Sequence, residues 1–150
     1  MIIEVRDDHL LYAIILKHDF NDDGVTFLTP NHLSQQLAFM RHPGGKMIQP
    51  HRHHQHLRKV FTTQEVLFIK KGRLRVDFYD LDHSYYRSHV LVAGDVILLV
   101  EGGHGFQALE PLEMVEVKQG PYDADRDKEK FEQVPEDRIQ FIDVAACRVK

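Results

Sequence analysis

The chain has no tryptophan, no long apolar run and only one cysteine. The last two features restrict the compartment and the class of protein to which it can belong. A single cysteine, Cys147, cannot form an internal disulfide, which favours a reducing compartment. A helix that crosses a bilayer needs about 20 apolar residues. Charged residues at positions 4 to 8 come too early for the apolar core of a secretory signal. We therefore expect a soluble cytoplasmic protein with no membrane partner.

An excess of positive charge is also missing. The 19 Lys and Arg residues are outnumbered by 23 Asp and Glu residues, for a formal net charge of −4. This balance provides no basic field for a phosphate backbone, so no nucleic-acid partner is expected. The apolar fraction of 43% and the charged fraction of 28% are typical of globular proteins. At 150 residues, one domain is expected.

What the chain does have is the period-two pattern of strands. In GRLRVDFYD (72–80), apolar residues alternate with charged ones, and the arginines Arg73 and Arg75 are expected to face solvent. Further strands are predicted for 10–18, 24–30, 31–40, 65–72, 89–100 (broken by a turn at 93–95), 112–120 and 139–150. Short strands separated by Gly, Asp and Pro predict an all-β sandwich or barrel. The charged stretch 123–138 predicts a short surface helix or an ordered tail.

Histidines are concentrated in GGKMIQPHRHHQH (44–56), which holds four of the 11 in the chain. In an extended chain, residues two apart share a face. His51 and His53 therefore form one candidate pair, and His54 and His56 form another. Divalent metals of borderline softness bind imidazole together with carboxylate, so the segment indicates a metal site.

Two residues further along the chain are candidates for the remaining ligands. Glu65 opens the apolar run VLFI, and His104 follows the apolar run VILLV. A carboxylate buried without a partner costs several kcal/mol. If Glu65 or His104 points inward, it therefore needs a partner such as a metal ion.

These residues resemble the motifs of the cupins, small double-stranded β-helix (jelly-roll) barrels, between about residues 40 and 118. The first cupin motif is a glycine, five residues, His-x-His, a short gap, a glutamate, six residues and a glycine. The second motif begins at a Gly-Asp turn and ends with a histidine on the next strand. The matching positions are Gly45, His51, His53, Glu65 and Gly72 for the first motif, and Gly94, Asp95 and His104 for the second.

The chain departs from the cupin pattern in two places. The gap between His53 and Glu65 is 11 residues, where the pattern has three or four. Val100 stands where a proline is usual, and His104 comes one residue early. The long gap leaves open whether His54 and His56 replace His51 and His53 as ligands, although Gly45 and Pro50 suit the first pair. The extra residues are expected to form a lengthened loop at the barrel mouth.

The resemblance implies one cupin domain over residues 1–150, of the all-β, double-stranded β-helix class. Its core would span about 40–118, with N-terminal strands in 1–30 and a charged C-terminal segment, a short helix or tail, in 121–150. The implied metal ligands are His51, His53, Glu65 and His104. They would hold a divalent transition metal, and Fe, Mn, Ni and Zn all suit this ligand set.

Such a site implies a metal-dependent enzyme that acts on a small polar substrate, with isomerase/epimerase-like or oxygenase-like chemistry. The substrate would be a sugar derivative or a hydroxy or keto acid. On the lengthened loop, His56 is predicted to act as general base and Arg58 as a second catalytic residue. Two alternatives remain open: a non-catalytic cupin that binds a small ligand, and an oligomeric module with a structural metal. A homodimer is expected, with the LLYAIIL run (10–16) as its seam.

Overall fold

The computed structural model describes residues 1–121, 123, 127–145 and 147–149, and it is all-β. The chain divides into two compact units. The first, here called the main unit, comprises Met1–Phe20 and Thr63–Lys150, and the second, the hairpin unit, comprises Asn21–Thr62. Across the described ranges no helix is long and apolar enough to cross a membrane.

The described residues form eleven strands and one 3₁₀ turn, at Glu136–Arg138. The strands are β1 (Ile2–Arg6), β2 (Leu11–Leu16), β3 (Gly24–Phe27), β4 (Ala38–Arg41), β5 (Glu65–Lys71), β6 (Arg73–Tyr79), β7 (Tyr85–Val92), β8 (Val96–Leu99), β9 (Gly103–Ala108), β10 (Glu113–Lys118) and β11 (Arg148–Val149). The predicted strands of the middle of the chain are therefore confirmed, most of them to within a few residues.

The main unit contains two antiparallel sheets. The larger has six strands in the order β10-β5-β8-β2-β1-β11, and the smaller has three in the order β7-β6-β9. Both sheets contribute to one hydrophobic core, as their period-two pattern requires. The core residues are Ile3, Val5, Tyr12, Ala13, Ile15, Leu67, Ile69, Ile97 and Leu99 from the larger sheet, and Leu74, Val76, Phe78 and Leu91 from the smaller one.

The LLYAIIL run supplies β2, which lies between β8 and β1 in the middle of the six-stranded sheet. Residues 12–16 of this strand are all buried. The run is therefore used inside the chain, and it is not available as an exposed dimer seam.

The predicted turn between β7 and β8 is confirmed. Gly94 has φ +90°, a left-handed conformation that favours glycine. The buried Asp95 side chain accepts hydrogen bonds from the backbone N–H groups of Val92 and His18, each at 2.9 Å. The turn and the end of β2 are thus held together by one carboxylate.

The hairpin unit contains one two-stranded antiparallel sheet, β3 with β4. Both strands are shorter than the predicted 24–30 and 31–40, because Pro30 and a series of turns occupy the space between them. A hydrogen bond of 2.9 Å from the Leu28 N–H to the Leu37 oxygen closes this connection. The remainder of the unit, residues 42–62, has no strand or helix.

Apart from the 3₁₀ turn at Glu136–Arg138, the C-terminal segment is an ordered tail rather than a helix in its described part. The prediction for 123–138 falls partly on residues 124–126, which lie outside the described residues, and 127–135 are not helical. The backbone of the C-terminal segment is instead hydrogen-bonded to the smaller sheet. The Val134 N–H donates to the Tyr79 hydroxyl at 3.0 Å, and the Ile142 N–H donates to the Ser88 oxygen at 2.9 Å. Of the predicted last strand, 139–150, the described residues contain a bridge at Phe141 and the short β11, and residues 146 and 150 lie outside the described part of the chain.

Candidate functional site

Glu65 is the first residue of β5, and its side chain faces the core. Along this strand Glu65, Leu67 and Ile69 are 5%, 0% and 0% exposed. Residues two apart in a strand share a face, so the carboxylate lies on the same side as two core residues. The sequence-based expectation that an inward Glu65 needs a partner therefore applies to this structure.

His104 on β9 is the nearest imidazole to this carboxylate. It is paired with Phe78 of β6, and opposed residues in an antiparallel ladder point to the same face. The side chain thus comes from the smaller sheet towards the larger one, and its Nε2 lies 3.3 Å from Oε2 of Glu65. Within the described residues this buried Oε2 nevertheless accepts no hydrogen bond.

The surroundings of Glu65 favour its ionised form. The closeness of the His104 ring is the largest cause that lowers the pKa of Glu65, to about 2, and it outweighs burial, which acts in the opposite direction. Lys128 and Lys118 act with His104, and the Lys118 Nζ lies 3.5 Å from Oε1. The pair is therefore a carboxylate beside an imidazole, and one carboxylate oxygen has no hydrogen-bond donor in the described part of the chain.

A cavity of about 350 Å³ opens beside His104 in the main unit. Tyr79, His104, Gly105 and Phe106 line it from the smaller sheet, and residues 128–133 of the C-terminal segment line it from the other side. His104 is 28% exposed, so one part of its ring contacts Glu65 while another is accessible. A small molecule in this cavity would therefore meet the imidazole directly.

The other predicted site residues belong to the hairpin unit. His51, His53, His54, His56 and Arg58 are all exposed and lie in a stretch without strands. The rings of His51 and His53 are 5.5 Å apart between centroids, edge to face. The sequence suggested that these two rings share one face of a strand. The structure instead brings them together in a stretch that forms no strand.

Each of two loop histidines has one ring nitrogen next to a backbone oxygen. Nδ1 of His51 lies 2.9 Å from the Gln49 oxygen, and Nδ1 of His56 lies 3.3 Å from the His54 oxygen. A ring that donates from Nδ1 to a carbonyl keeps Nε2 as the nitrogen with a free lone pair, the usual arrangement for a metal-binding histidine.

The structure thus brings the predicted ligands together as two pairs, Glu65 with His104 and His51 with His53. Among the described residues, no group of three or more His, Cys, Asp or Glu side chains is gathered tightly enough to hold a metal ion. Chemically, a carboxylate and an imidazole can provide two ligands to a divalent ion, or can exchange a proton as an acid–base pair.

A buried polar network that the sequence reasoning missed lies on the other face of the smaller sheet. Arg75, expected to face solvent, is only 4% exposed. Its guanidinium contacts Asp77 from Nε at 3.0 Å and Glu136 from Nη1 at 2.8 Å, and Ser88 donates to Asp77 at 2.5 Å. The alternation along β6 correctly placed Arg75 and Asp77 on the face opposite to the core residues. This face is not open to solvent, because the acidic C-terminal segment covers it.

His89 is a second buried polar residue without a predicted role. It is 8% exposed, and its Nε2 has no hydrogen-bond partner among the described residues. Burial, with a smaller effect of Lys17, lowers the pKa of His89 to about 4. The imidazole is therefore neutral at pH 7 and serves as a core side chain.

In comparisons with known proteins, no family model, no curated protein and no solved structure matches this chain.

Proposed function

We propose that the chain is a metal-binding protein of the cupin type whose main unit is a double-stranded β-helix. The path of the chain supports this fold. After β5 in the larger sheet, β6 and β7 lie in the smaller sheet, β8 returns to the larger, β9 to the smaller and β10 to the larger. Repeated crossing between two antiparallel sheets is the connectivity of jelly rolls.

The observation that carries the metal proposal is the state of Glu65. Its carboxylate is buried, and one oxygen accepts no hydrogen bond within the described residues although an imidazole nitrogen lies 3.3 Å away. A buried anionic oxygen without a donor is costly, and a cation is the partner that would relieve this cost. Glu65 and His104 therefore suit two positions in the coordination of a divalent ion.

In this proposal Glu65 and His104 are the two ligands that the main unit provides. His51 and His53 are the further ligands that the cupin resemblance implies. The donor set of three imidazoles and one carboxylate suits Fe, Mn, Ni or Zn. The bound ion would polarise a carbonyl or hydroxyl of a substrate or acidify a water molecule. The chain's own contribution is to keep Glu65 ionised and to hold His104 from a rigid strand.

The proposed activity is enzymatic, on a small polar substrate, with isomerase/epimerase-like or oxygenase-like chemistry. The cavity beside His104 supports a small ligand, because its volume lies in the range of small-molecule sites. The cupin resemblance further implies His56 as general base and Arg58 as a second catalytic residue.

Metal uptake by matched histidine variants tests the proposal. The purified chain, loaded with each of the four metals in turn and then desalted, is expected to retain one ion per chain by elemental analysis. His104→Ala and His51→Ala are each expected to lose more than about 90% of that ion, since loss of a ligand weakens affinity at least tenfold. The exposed His42 is a control, and His42→Ala is expected to retain the ion.

Full occupancy in His104→Ala would contradict the metal site. Occupancy that survives His51→Ala but is lost in His54→Ala would instead assign the second histidine pair as ligands. Metal retention without turnover of any hydroxy acid, keto acid or sugar would favour the non-catalytic binding module.

A further inference from the structure

The cavity beside His104 has walls of two chemical kinds. Aromatic rings of Tyr79, Phe106 and Phe131 form an apolar part, and Lys128 and Lys130 provide two cations. An apolar cavity with a few convergent polar groups is the usual form of a small-molecule site. A ligand with an apolar body and a polar end would match both kinds of wall, since its apolar part can contact the rings and its polar end the lysines.

The wall formed by the C-terminal segment is held firmly. The Phe131 ring stacks on His83, with centroids 4.3 Å apart and planes at 8°, and meets Tyr79 edge to face at 5.0 Å. It also packs on Gly103, where a Cβ would lie only 2.6 Å from the ring. Three residues on, Val134 is buried and bonded to the Tyr79 hydroxyl. The backbone that carries Lys128 and Lys130 is thereby fixed next to the cavity.

The lysines are the charges available to a ligand. Neither Lys128 nor Lys130 has a carboxylate oxygen within 4 Å in the part of the chain that the structure describes. Of the two acids on the same wall, Glu129 is directed to His83, with Oε2 at 3.9 Å from Nε2, and Glu132 is exposed.

Building on the proposed function, we propose that this cavity binds a small carboxylic acid with an apolar, planar body, in preference to a neutral sugar. The ligand's carboxylate is paired with Lys128 and Lys130, and its apolar part lies against Phe106 and Phe131. This orientation directs the ligand's remaining polar group to His104. A keto or hydroxy acid fits this description.

Binding of a charged probe and its neutral analogue tests the assignment. Titration calorimetry on the full chain, stripped of metal with a chelator, would compare phenylpyruvate with phenylpyruvamide. Phenylpyruvate is expected to bind about tenfold more tightly, because only the acid gains a charge-assisted pair. In Lys128→Gln its affinity should fall about fivefold while that of the amide is unchanged. The exposed Lys70 of β5 is a matched control, and Lys70→Gln should bind both probes as the wild type does.

Equal affinity for acid and amide, an unchanged affinity in Lys128→Gln, or no binding of either probe would each overturn the assignment. The use of metal-free protein separates this result from the metal proposal. Selective acid binding in a chain that retains no metal would remove the metal proposal and keep the cavity's ligand class. Metal retention without acid selectivity would keep the metal proposal and remove the assigned ligand class of the cavity.

Discussion

At the scale of the residue, buried polar side chains distinguish this protein. Glu65, Asp77, His89 and Asp95 are each less than 9% exposed, and burial of such groups is costly unless they are paired. Asp77 and Asp95 are satisfied: Asp77 by Arg75 and Ser88, and Asp95 by Lys17, His18 and the turn backbone. Glu65 and His89 each keep one buried atom without a hydrogen-bond partner among the described residues. Of the four, Glu65 and His89 are therefore the residues whose burial still needs an explanation.

His89 predicts a specific pH dependence of stability. Its pKa is about 4 in the folded chain, against an ordinary value of 6.5, so the unfolded chain binds more protons between these two pH values. The free energy of unfolding contributed by His89 is fully present above pH 6.5 and falls as the pH drops towards 4, by about 3 kcal/mol. Urea unfolding of the wild type and of His89→Gln at pH 7 and pH 4.5 measures the difference.

The difference in stability between wild type and His89→Gln should change between the two pH values, because only the wild type titrates there. His32→Gln, at an exposed histidine, controls for the general effect of acid. A constant difference between wild type and His89→Gln would show that His89 is not the responsible group.

At the scale of the element, the smaller sheet is covered on both faces, and this explains the Arg75 result. One face of β6 contributes Leu74, Val76 and Phe78 to the core. The other carries Arg75 and Asp77 beneath the C-terminal segment, where Glu136 reaches the guanidinium. The alternation of the strand is visible in the sequence, but a period of two only separates two faces and does not say which one is covered.

Removal of the buried guanidinium should be costly. Arg75→Met leaves the carboxylate of Asp77 buried without its counter-ion, so the free energy of unfolding is expected to fall by about 3–5 kcal/mol. Arg73 on the same strand is half exposed and pairs with Glu110 at 3.5 Å. Arg73→Met should change stability by no more than about 0.5 kcal/mol. Chemical denaturation of both variants provides the comparison, and similar losses in the two would argue against a buried network.

At the scale of the whole molecule, the expected homodimer needs a surface other than LLYAIIL. Within the described residues β10 is at an edge of the six-stranded sheet, and its Val115 and Val117 are 47% and 56% exposed. An exposed edge strand with apolar side chains is prone to pair with another chain. We therefore expect β10 to lie at the contact between two copies.

Sedimentation velocity should give a particle of about twice the 17.5 kDa chain mass. Val117→Lys is expected to shift the population to monomer, because it places a charge at the contact. Val25→Lys, at an equally accessible valine of the hairpin unit, should leave the dimer intact. A monomeric wild type over the micromolar range would show that the homodimer prediction is wrong.

Much of the fold was predictable because its signals are local. Alternation in β6, the glycine turn at Gly94 and the apolar run of β5 each depend on a few neighbouring residues, and the structure confirms them. The fate of residues 127–135 was not predictable. These residues include good helix formers, but they form hydrogen bonds and ring contacts with Tyr79 and His83 instead of a helix. Both partners lie more than 40 positions away in the chain.

For the candidate site, the sequence placed Glu65 on the same strand face as Leu67 and Ile69, because a strand has a period of two, and it identified the candidate histidines. Which of the two apolar faces of β5 points into the core was decided by the tertiary structure. Only the tertiary structure decided that His104 meets this carboxylate, that Phe131 and Lys128 stand beside it, and that Arg75 is buried. The physical reason is that periodicity and turn chemistry act between neighbours in the chain, whereas the pairing of a buried charge depends on which distant element covers it.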